Sequence, residues 1–307
     1  SWPASPDSPG DHPGGPPEAP GPAADGAALA AVAEGTALAA YRFQRHKSAP
    51  DPDLATATLL VDGDRSLAAA EPVLRRAEVA ARATLAARDL VNEPASQINP
   101  ATLAAEAVRL ARAAGLEHRV LAGPALRRGR FGAVLAVGGG SATGPRLVEL
   151  RHRPPGAGRH VALVGKGVTF DSGGLDLKRG AGMEGMKDDM AGAAAILAAV
   201  TAAAELELPT AVTAILPLVE NMPGASAMRP GDVIRARNGV TVEVTNTDAE
   251  GRLILADGLA LAAEAHPDAI LDLATLTGSV VYGLGLGCTG VFGNTPALTA
   301  EVLAAAA

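Results

Sequence analysis

Residues 160–178, HVALVGKGVTFDSGGLDLK, join an apolar strand pattern to a run of ionisable side chains. Residues 160–164 are mostly apolar and end at a glycine, which is typical of a buried strand. Lys166, Asp171 and Lys178 follow among further glycines. Because the active sites of α/β proteins form in loops at the carboxyl ends of strands, this pattern predicts a core strand leading directly into a functional site.

The chain on both sides of this segment alternates between strand and helix patterns. Strands are predicted at 118–121, 132–137, 146–150, 210–216 and 268–273, and helices at 27–41, 68–90, 101–114, 190–204 and 253–265. Asn238 and Gly239, between alternating apolar residues, predict a hairpin turn. Near-continuous apolar strands separated by helices indicate an α/β fold, with a mainly parallel sheet flanked by helices on both faces.

Charge and composition exclude several classes of protein. The 307 residues carry a formal net charge of −7, which disfavours nucleic-acid binding through a basic surface. The single cysteine, Cys288, excludes an internal disulfide and every Cys-rich zinc site, as suits a reducing compartment. No apolar run reaches about 18 residues, and the first residues lack a signal-peptide pattern. We therefore expect a cytoplasmic protein with no membrane or nucleic-acid partner.

Two glycine- and proline-rich stretches are interpreted without a catalytic role. Residues 1–26 hold eight prolines and no periodic apolar pattern, so we expect a disordered lead. The glycines at 138–140 follow a predicted strand but lack the rest of a dinucleotide-binding fingerprint, which favours a turn. HExxH zinc, phosphate-loop and GxSxG nucleophile motifs are missing from the sequence as well.

Ionisable side chains are concentrated in three short segments: 165–178, MKDDMAG at 186–192 and NTDAEGR at 246–252. Only four of the 26 basic residues are lysines, and three of those four lie in the first two segments. Carboxylates at this density repel one another unless cations neutralise them, and two divalent metals would also activate water for hydrolysis. For each residue alone, the alternative is a helix N-cap or a surface ion pair.

Four segments resemble the signature blocks of the leucyl aminopeptidase (cytosol aminopeptidase) family. They are VGKGVTFDSGG with the following LK (164–178), MKDDMAGAA (186–194), ENMPGASAMRPGDV (220–233) and NTDAEGRLILADGL (246–259). Residues 87–104 and 272–278 resemble further blocks, so the similarity covers about residues 75–295. Residues 41–48 resemble the segment just ahead of the family's catalytic domain.

This resemblance implies an aminopeptidase/phosphorylase-like domain that cleaves the N-terminal peptide bond of peptides, with a preference for leucine-like residues. The implied nucleophile is a water that bridges two divalent ions, Mn²⁺ or Zn²⁺, with Mg²⁺ as a further candidate. The implied metal ligands are Lys166, Asp171, Asp189, Asp248 and Glu250. Of these, Asp171 and Glu250 are implied to bridge the two metals. Lys166 and Asp189 would complete one site, and Asp248 would complete the other. The implied catalytic residues are Lys178, which stabilises the oxyanion, and Arg252, which holds a bicarbonate acting as general base; Thr275, Leu276 and Gly278 line the substrate cleft.

The chemistry of these side chains agrees with the implied roles. Lys166 can bind a metal only as a neutral amine, and arginine cannot replace it because a guanidinium does not deprotonate in proteins. Lys178 must stay charged to meet negative charge in the transition state. The planar fork of Arg252 suits a planar anion such as bicarbonate.

The resemblance also implies a longer chain than this one. Family members have a larger N-terminal domain and continue beyond the position that corresponds to Ala307, so we expect truncation at both ends and a catalytic domain incomplete at its C-terminus. The expected divisions are a disordered lead (1–26), a remnant of the N-terminal domain with a linker (27–75) and the two-metal catalytic domain (76–307). Family hexamers imply a homo-oligomer. The alternative is a catalytically impaired fragment, or a structural or regulatory chain that retains the metal motif.

Overall fold

The computed structural model describes residues 22–52, 54–60 and 67–306. The helices are α1 (Pro22–Ala39), α2 (Leu67–Asn92), α3 (Pro100–Ala113), α4 (Gly123–Arg128), α5 (Gly132–Val137), α6 (Ala191–Glu205), α7 (Glu250–Glu264), α8 (Ser279–Leu284) and α9 (Pro296–Ala306). The strands are β1 (Glu117–Ala122), β2 (Arg146–His152), β3 (His160–Gly165), β4 (Gly167–Asp171), β5 (Ala211–Asn221), β6 (Val233–Arg235), β7 (Thr241–Glu243) and β8 (Ala269–Leu273). Helix α1 begins at Pro22, inside the segment expected to be disordered, and the rest of that prediction, residues 1–21, lies outside the described residues.

The main sheet is built around the long strand β5. Its strand order is β1-β2-β5-β3-β8, and β4 pairs with the carboxyl half of β5. Strand β3 runs parallel to β5 and β8, β4 runs parallel to β5, and β2 is antiparallel to β1 and β5. The prediction of a mainly parallel sheet is therefore confirmed, and the parallel strands β3, β4 and β8 end on the same side of the molecule.

Apolar cores lie on both faces of this sheet. Along β5, Leu216 packs on one face with α3 and α6, whereas Ile215 packs on the other with α5 and α7. This alternation follows from the period of two along a strand, which sends successive side chains to opposite faces. The expectation of helices on both faces is confirmed. Within the described part of the chain, no helix has the length and apolar character needed to cross a bilayer.

The predicted strand at 132–137 is wrong, because these residues form helix α5. A short apolar run fits either a strand or a buried helix, and its periodicity cannot separate the two. Here Val134 and Val137 are buried on one side of the helix. The backbone N–H groups of Ala133 and Val134 donate to Oδ2 of Asp257, each at 2.9 Å, and this buried carboxylate of α7 satisfies the helix start.

Both predicted turns are present. The glycines at 138–140 form a single 3₁₀ turn directly after α5. A Cβ on Gly140 would lie 2.0 Å from the carbonyl oxygen of Met222, so only glycine fits at this contact. Strands β6 and β7 form the predicted hairpin, and Gly239 at its turn has φ +91°, a conformation that glycine adopts without strain.

The segment after α1 is tied to the C-terminal end of α2. Tyr41 Oη donates to Asp89 Oδ1 at 2.9 Å. Arg45 and His46 both contact the buried carboxylate of Glu93, at 2.8 and 2.9 Å. Helix α2 packs in turn against α6, which covers the sheet. Residues 41–46 are therefore fixed to the same layer of helices that supports the site described below.

Asp257→Asn tests the importance of the α5–α7 contact. In addition to the two α5 groups, Asp257 accepts the backbone N–H of Arg237 at 2.7 Å through Oδ1. An asparagine presents an N–H₂ group where at least one of these three donors points, so we expect the free energy of unfolding to fall by about 1–3 kcal/mol. Urea denaturation measures this change. Asp232→Asn, which alters a partly exposed side chain that accepts the Arg229 N–H, is the control, and an equal loss there would contradict the prediction.

Candidate metal centre

The ionisable residues of the three sequence segments meet where the parallel strands end. Lys166 follows β3, and Asp171 is the last residue of β4. Asp189 lies in the turn before α6, Glu250 is the first residue of α7, and Thr275 follows β8. The structure therefore brings together residues that are as far as 109 positions apart in the chain.

Lys166 is the centre of a buried ion-pair network. Its Nζ lies 2.7 Å from Asp189 Oδ1 and 2.9 Å from Glu250 Oε1, and it donates to the carbonyl oxygen of Thr275 at 2.7 Å. Side chains of Lys166, Asp189 and Glu250 are at most 6% exposed. Thr275 Oγ1 also donates to Asp189 Oδ1, at 2.8 Å. Four groups from four elements thus hold one another in a dry environment.

Glycines allow the backbone to close around Lys166. A Cβ on Gly251 would lie 2.7 Å from Lys166 Cε, and a Cβ on Gly192 would lie 2.2 Å from the carbonyl oxygen of Leu273. That carbonyl accepts the backbone N–H of Lys166 at 2.9 Å. The glycines in the segments 186–192 and 246–252 therefore permit close packing of α6 and α7 against the lysine.

Lys178 makes a second ion-pair network beside the first. Its Nζ lies 2.8 Å from Asp171 Oδ2 and 2.5 Å from Asp248 Oδ1. Gly173 and Gly174 have φ +89° and +68°, and this left-handed turn lets the chain reverse between Asp171 and Lys178. The Lys178 side chain is 17% exposed, so this network faces the surface more than that of Lys166 does.

Electrostatics keep both lysines protonated when no cation is present. Burial lowers the pKa of Lys166, but Asp189 and Glu250 outweigh it and leave the pKa raised. Burial likewise lowers the pKa of Lys178, and Asp171 and Asp248 outweigh it. Among the acids, burial raises the pKa of Asp189 to about 7, although Lys166 opposes the change. Burial also raises the pKa of Glu250 against the effect of Lys166. Burial therefore pushes Asp189 and Glu250 towards their neutral forms when no cation is present, and Lys166 opposes that change.

Two observations indicate that the residues of this centre are suited to binding divalent cations. Oδ2 of Asp189 and Oε2 of Glu250 are buried and have no hydrogen-bond partner among the described residues. Asp171, Asp248 and Glu250 each offer an oxygen, and these atoms lie within 4.8 Å of one another. An unpartnered buried carboxylate oxygen is unfavourable, whereas a cation satisfies it. Carboxylate oxygens are ligands for Mg²⁺, Mn²⁺ and Zn²⁺ alike.

The remaining predicted site residues lie around this centre. Arg252, two residues after Glu250, is exposed and makes no hydrogen bond or ion pair with the described residues. Thr275 contacts both Lys166 and Asp189, as described above. Leu276 and Gly278 are exposed in the segment that follows and make no hydrogen bond to the ion-pair networks. The structure thus joins Thr275 to the centre and leaves the other two beside it.

Three residues outside the predicted ligand and catalytic sets support the centre. Asn221, at the end of β5, donates through Nδ2 to Asp171 Oδ1 at 2.8 Å. Asp176 Oδ2 accepts the backbone N–H of Thr247 at 2.7 Å and so joins the two loops. Lys187 donates to the carbonyl oxygen of Asn92, the last residue of α2, at 2.5 Å. The sequence signals for Asn221 are its position directly after an apolar strand and its place in the 220–233 block.

Comparisons with known proteins agree with this geometry. A sequence model of the cytosol aminopeptidase family, catalytic domain, matches residues 85–307. The probable cytosol aminopeptidases of Micrococcus luteus and Rhodococcus erythropolis are each 49% identical, over 93% and 87% of this chain. The chain spans 57% and 54% of the lengths of those relatives.

A solved structure is similar over the same region. It is the bottromycin maturation enzyme BotP in complex with Mn, which is 43% identical, has a TM-score of 0.84 and covers 91% of this chain. The chain covers 59% of that protein. Because the family match covers most of the chain and the fold agrees with it, the chain belongs to the cytosol aminopeptidase family.

Proposed function

We propose that the chain is a metal-dependent aminopeptidase that removes the N-terminal residue of peptides and prefers leucine-like residues. The observation that carries this proposal is the pair of buried, unpartnered oxygens on Asp189 and Glu250. A bound cation would satisfy these oxygens, since a buried oxygen without a hydrogen-bond partner is unfavourable. The names of the relatives support the reaction class and a cytoplasmic location.

We assign two metal sites to the five ligands. Lys166 and Asp189 complete one site, Asp248 completes the other, and Asp171 and Glu250 bridge the two. Mn²⁺ and Zn²⁺ are the first candidates and Mg²⁺ a further one, and the Mn named for BotP supports the first. When bound, two divalent ions supply Lewis acidity and lower the pKa of the water that attacks the peptide.

Lys178 and Arg252 are the proposed catalytic residues. The raised pKa of Lys178 keeps its ammonium charged at neutral pH, as is needed to stabilise an oxyanion. The Arg252 side chain is exposed and has no partner among the described residues, so its guanidinium is available to hold bicarbonate as the general base. The free amino group of a peptide can bind a metal and a nearby carboxylate, which agrees with cleavage from that end.

The segment after β8 is the proposed substrate cleft. Thr275, Leu276 and Gly278 line it through backbone contacts, and Thr275 is already held by the metal centre. The Leu276 side chain is 43% exposed and offers an apolar surface beside the charged residues. An apolar surface beside the proposed metal ligands suits a leucine-like N-terminal residue.

The second candidate function is a structural or regulatory chain that binds metal without turnover. The observation that favours it is that Leu276 and Gly278, two of the three proposed cleft residues, make no hydrogen bond to the ion-pair networks. A catalytically impaired fragment with an intact metal centre belongs to the same alternative.

Hydrolysis of leucine p-nitroanilide tests the main proposal. With Mn²⁺ or Zn²⁺ added, we expect release of p-nitroaniline that EDTA abolishes. Lys178→Met removes the charge that meets the oxyanion, so we expect kcat to fall about 10²–10³-fold while bound metal stays unchanged. If the folded chain binds two metals and shows no turnover, the structural or regulatory alternative is correct instead.

Lys166→Arg tests the ligand assignment. Because arginine cannot supply a neutral nitrogen, we expect the variant to lose one of two metals while its circular dichroism stays unchanged. Lys47→Arg, which alters an exposed lysine paired with Asp51, is the matched control and should retain both metals. Elemental analysis of the dialysed proteins gives the metal content, and two metals per chain in Lys166→Arg would contradict the assignment.

We further propose that the chain forms a homo-oligomer, with six copies as the resemblance implies. Tyr282, Leu286 and Phe292 are 94%, 91% and 86% exposed, and this apolar surface supports contact with further polypeptide. Light scattering after size-exclusion chromatography is expected to give six times the chain mass of 30.6 kDa. A mass equal to that of one chain would overturn this proposal.

A further inference from the structure

Asn221 is a fully buried polar residue that no part of the proposed chemistry uses. It ends β5, the central strand of the sheet, and is 1% exposed. Its side-chain amide donates two hydrogen bonds, one to Asp171 Oδ1 at 2.8 Å and one to the carbonyl oxygen of Thr247 at 3.0 Å. Its backbone carbonyl accepts from both the N–H and the hydroxyl of Ser172, at 3.0 and 2.6 Å.

The contact with Asp171 fixes one oxygen of that carboxylate. Oδ1 of Asp171 accepts from Asn221 Nδ2 and also from the backbone N–H of Gly173 at 2.9 Å. A carboxylate oxygen has two lone pairs, and both are engaged on Oδ1. The other oxygen, Oδ2, pairs with Lys178 Nζ at 2.8 Å and is the one that a bound cation would share with this lysine. The amide therefore sets the direction in which Asp171 presents Oδ2.

The hydrogen bond to Thr247 links Asn221 to the loop that carries Asp248. Thr247 directly precedes Asp248 and is itself 0% exposed. Its hydroxyl donates to the carbonyl oxygen of Gly173, which lies in the loop that follows Asp171. Asn221 thus connects the loop of Asp171 with the loop of Asp248, from a strand that pairs with β2 as far as Leu218 and with β4 as far as Asn221 itself.

We propose that Asn221 is a positioning residue of the metal centre, which holds Asp171 and the Asp248 loop in the relative orientation that both metals require. This inference rests on the two-metal function proposed above. Side chains that hydrogen-bond to metal ligands orient them, and their loss typically costs about tenfold to 100-fold in metal affinity. Because Asp171 is shared by the two proposed sites, loss of Asn221 should weaken both.

Mn²⁺ titration of the full chain, followed by the electron paramagnetic resonance of free Mn²⁺, tests this inference. We expect two Mn²⁺ per wild-type chain and a weakening of both by about tenfold to 100-fold in Asn221→Ala. Thr169→Val is the matched control, since Thr169 is 1% exposed on the neighbouring strand and donates to the Val219 carbonyl oxygen at 3.2 Å. That control loses a buried hydrogen bond of the same strand pair and should bind Mn²⁺ as the wild type does.

Asn221→Leu, which keeps the number and branching of the side-chain heavy atoms but donates nothing, covers the case in which the alanine variant does not fold. Weakened binding in either folded variant supports the inference. Unchanged affinity in a folded variant overturns it, and so does unfolding of both variants while Thr169→Val folds, because the role of Asn221 is then structural alone. A wild-type chain that binds fewer than two Mn²⁺ overturns the proposed function and this inference together.

Discussion

The ion pairs of Lys166 with Asp189 and Glu250 are the interaction on which the rest of the structure depends. Three charged side chains are buried together there, and the network is stable only if every partner stays in place. Four elements must therefore end at one point: β3 supplies the lysine, the start of α6 and the start of α7 supply the acids, and the end of β8 supplies a carbonyl. The parallel arrangement of β3 with β5 and β8 makes that convergence possible.

Close packing around this lysine explains the small residues in the neighbouring segments. Gly165 lies so near α6 that a Cβ would approach Ala193 Cα to 2.6 Å, and Gly258 lies so near β3 that a Cβ would approach Val164 to 2.7 Å. Helices α6 and α7 thus approach opposite faces of the same strand at glycine contacts. The glycines are as much a part of the centre as its charged groups, because they set how near α6 and α7 can approach the lysine.

Patterns along the chain predicted the elements that carry strong periodicity, including β3, the hairpin and the helices that flank the sheet. The ionisable segments were expected to meet because strand ends converge, and Lys166, Asp189 and Glu250 do so. Helix α5 could not be predicted, because its six residues fit the period of a strand as well as that of a helix. Its start is fixed by Asp257, which lies more than 120 positions away in the chain. The role of Asn221 was missed for a related reason: the residue lies in the 220–233 block, but the sequence around it does not reveal its contacts with two distant loops.

The proposed roles of the two lysines require opposite protonation states, a neutral amine on Lys166 and an ammonium on Lys178. Without cations, four carboxylates face two ammonium groups, and both lysines hold their protons because the acids outweigh burial. At the proposed metal site, a divalent ion close to Lys166 would reverse this balance, since it would repel the ammonium and favour the neutral amine. Lys178 is more exposed and contacts Asp248, so acid and solvent both favour its charged form. The proposed roles, with Lys166 as a ligand and Lys178 as a cation, therefore agree with the deeper burial of Lys166.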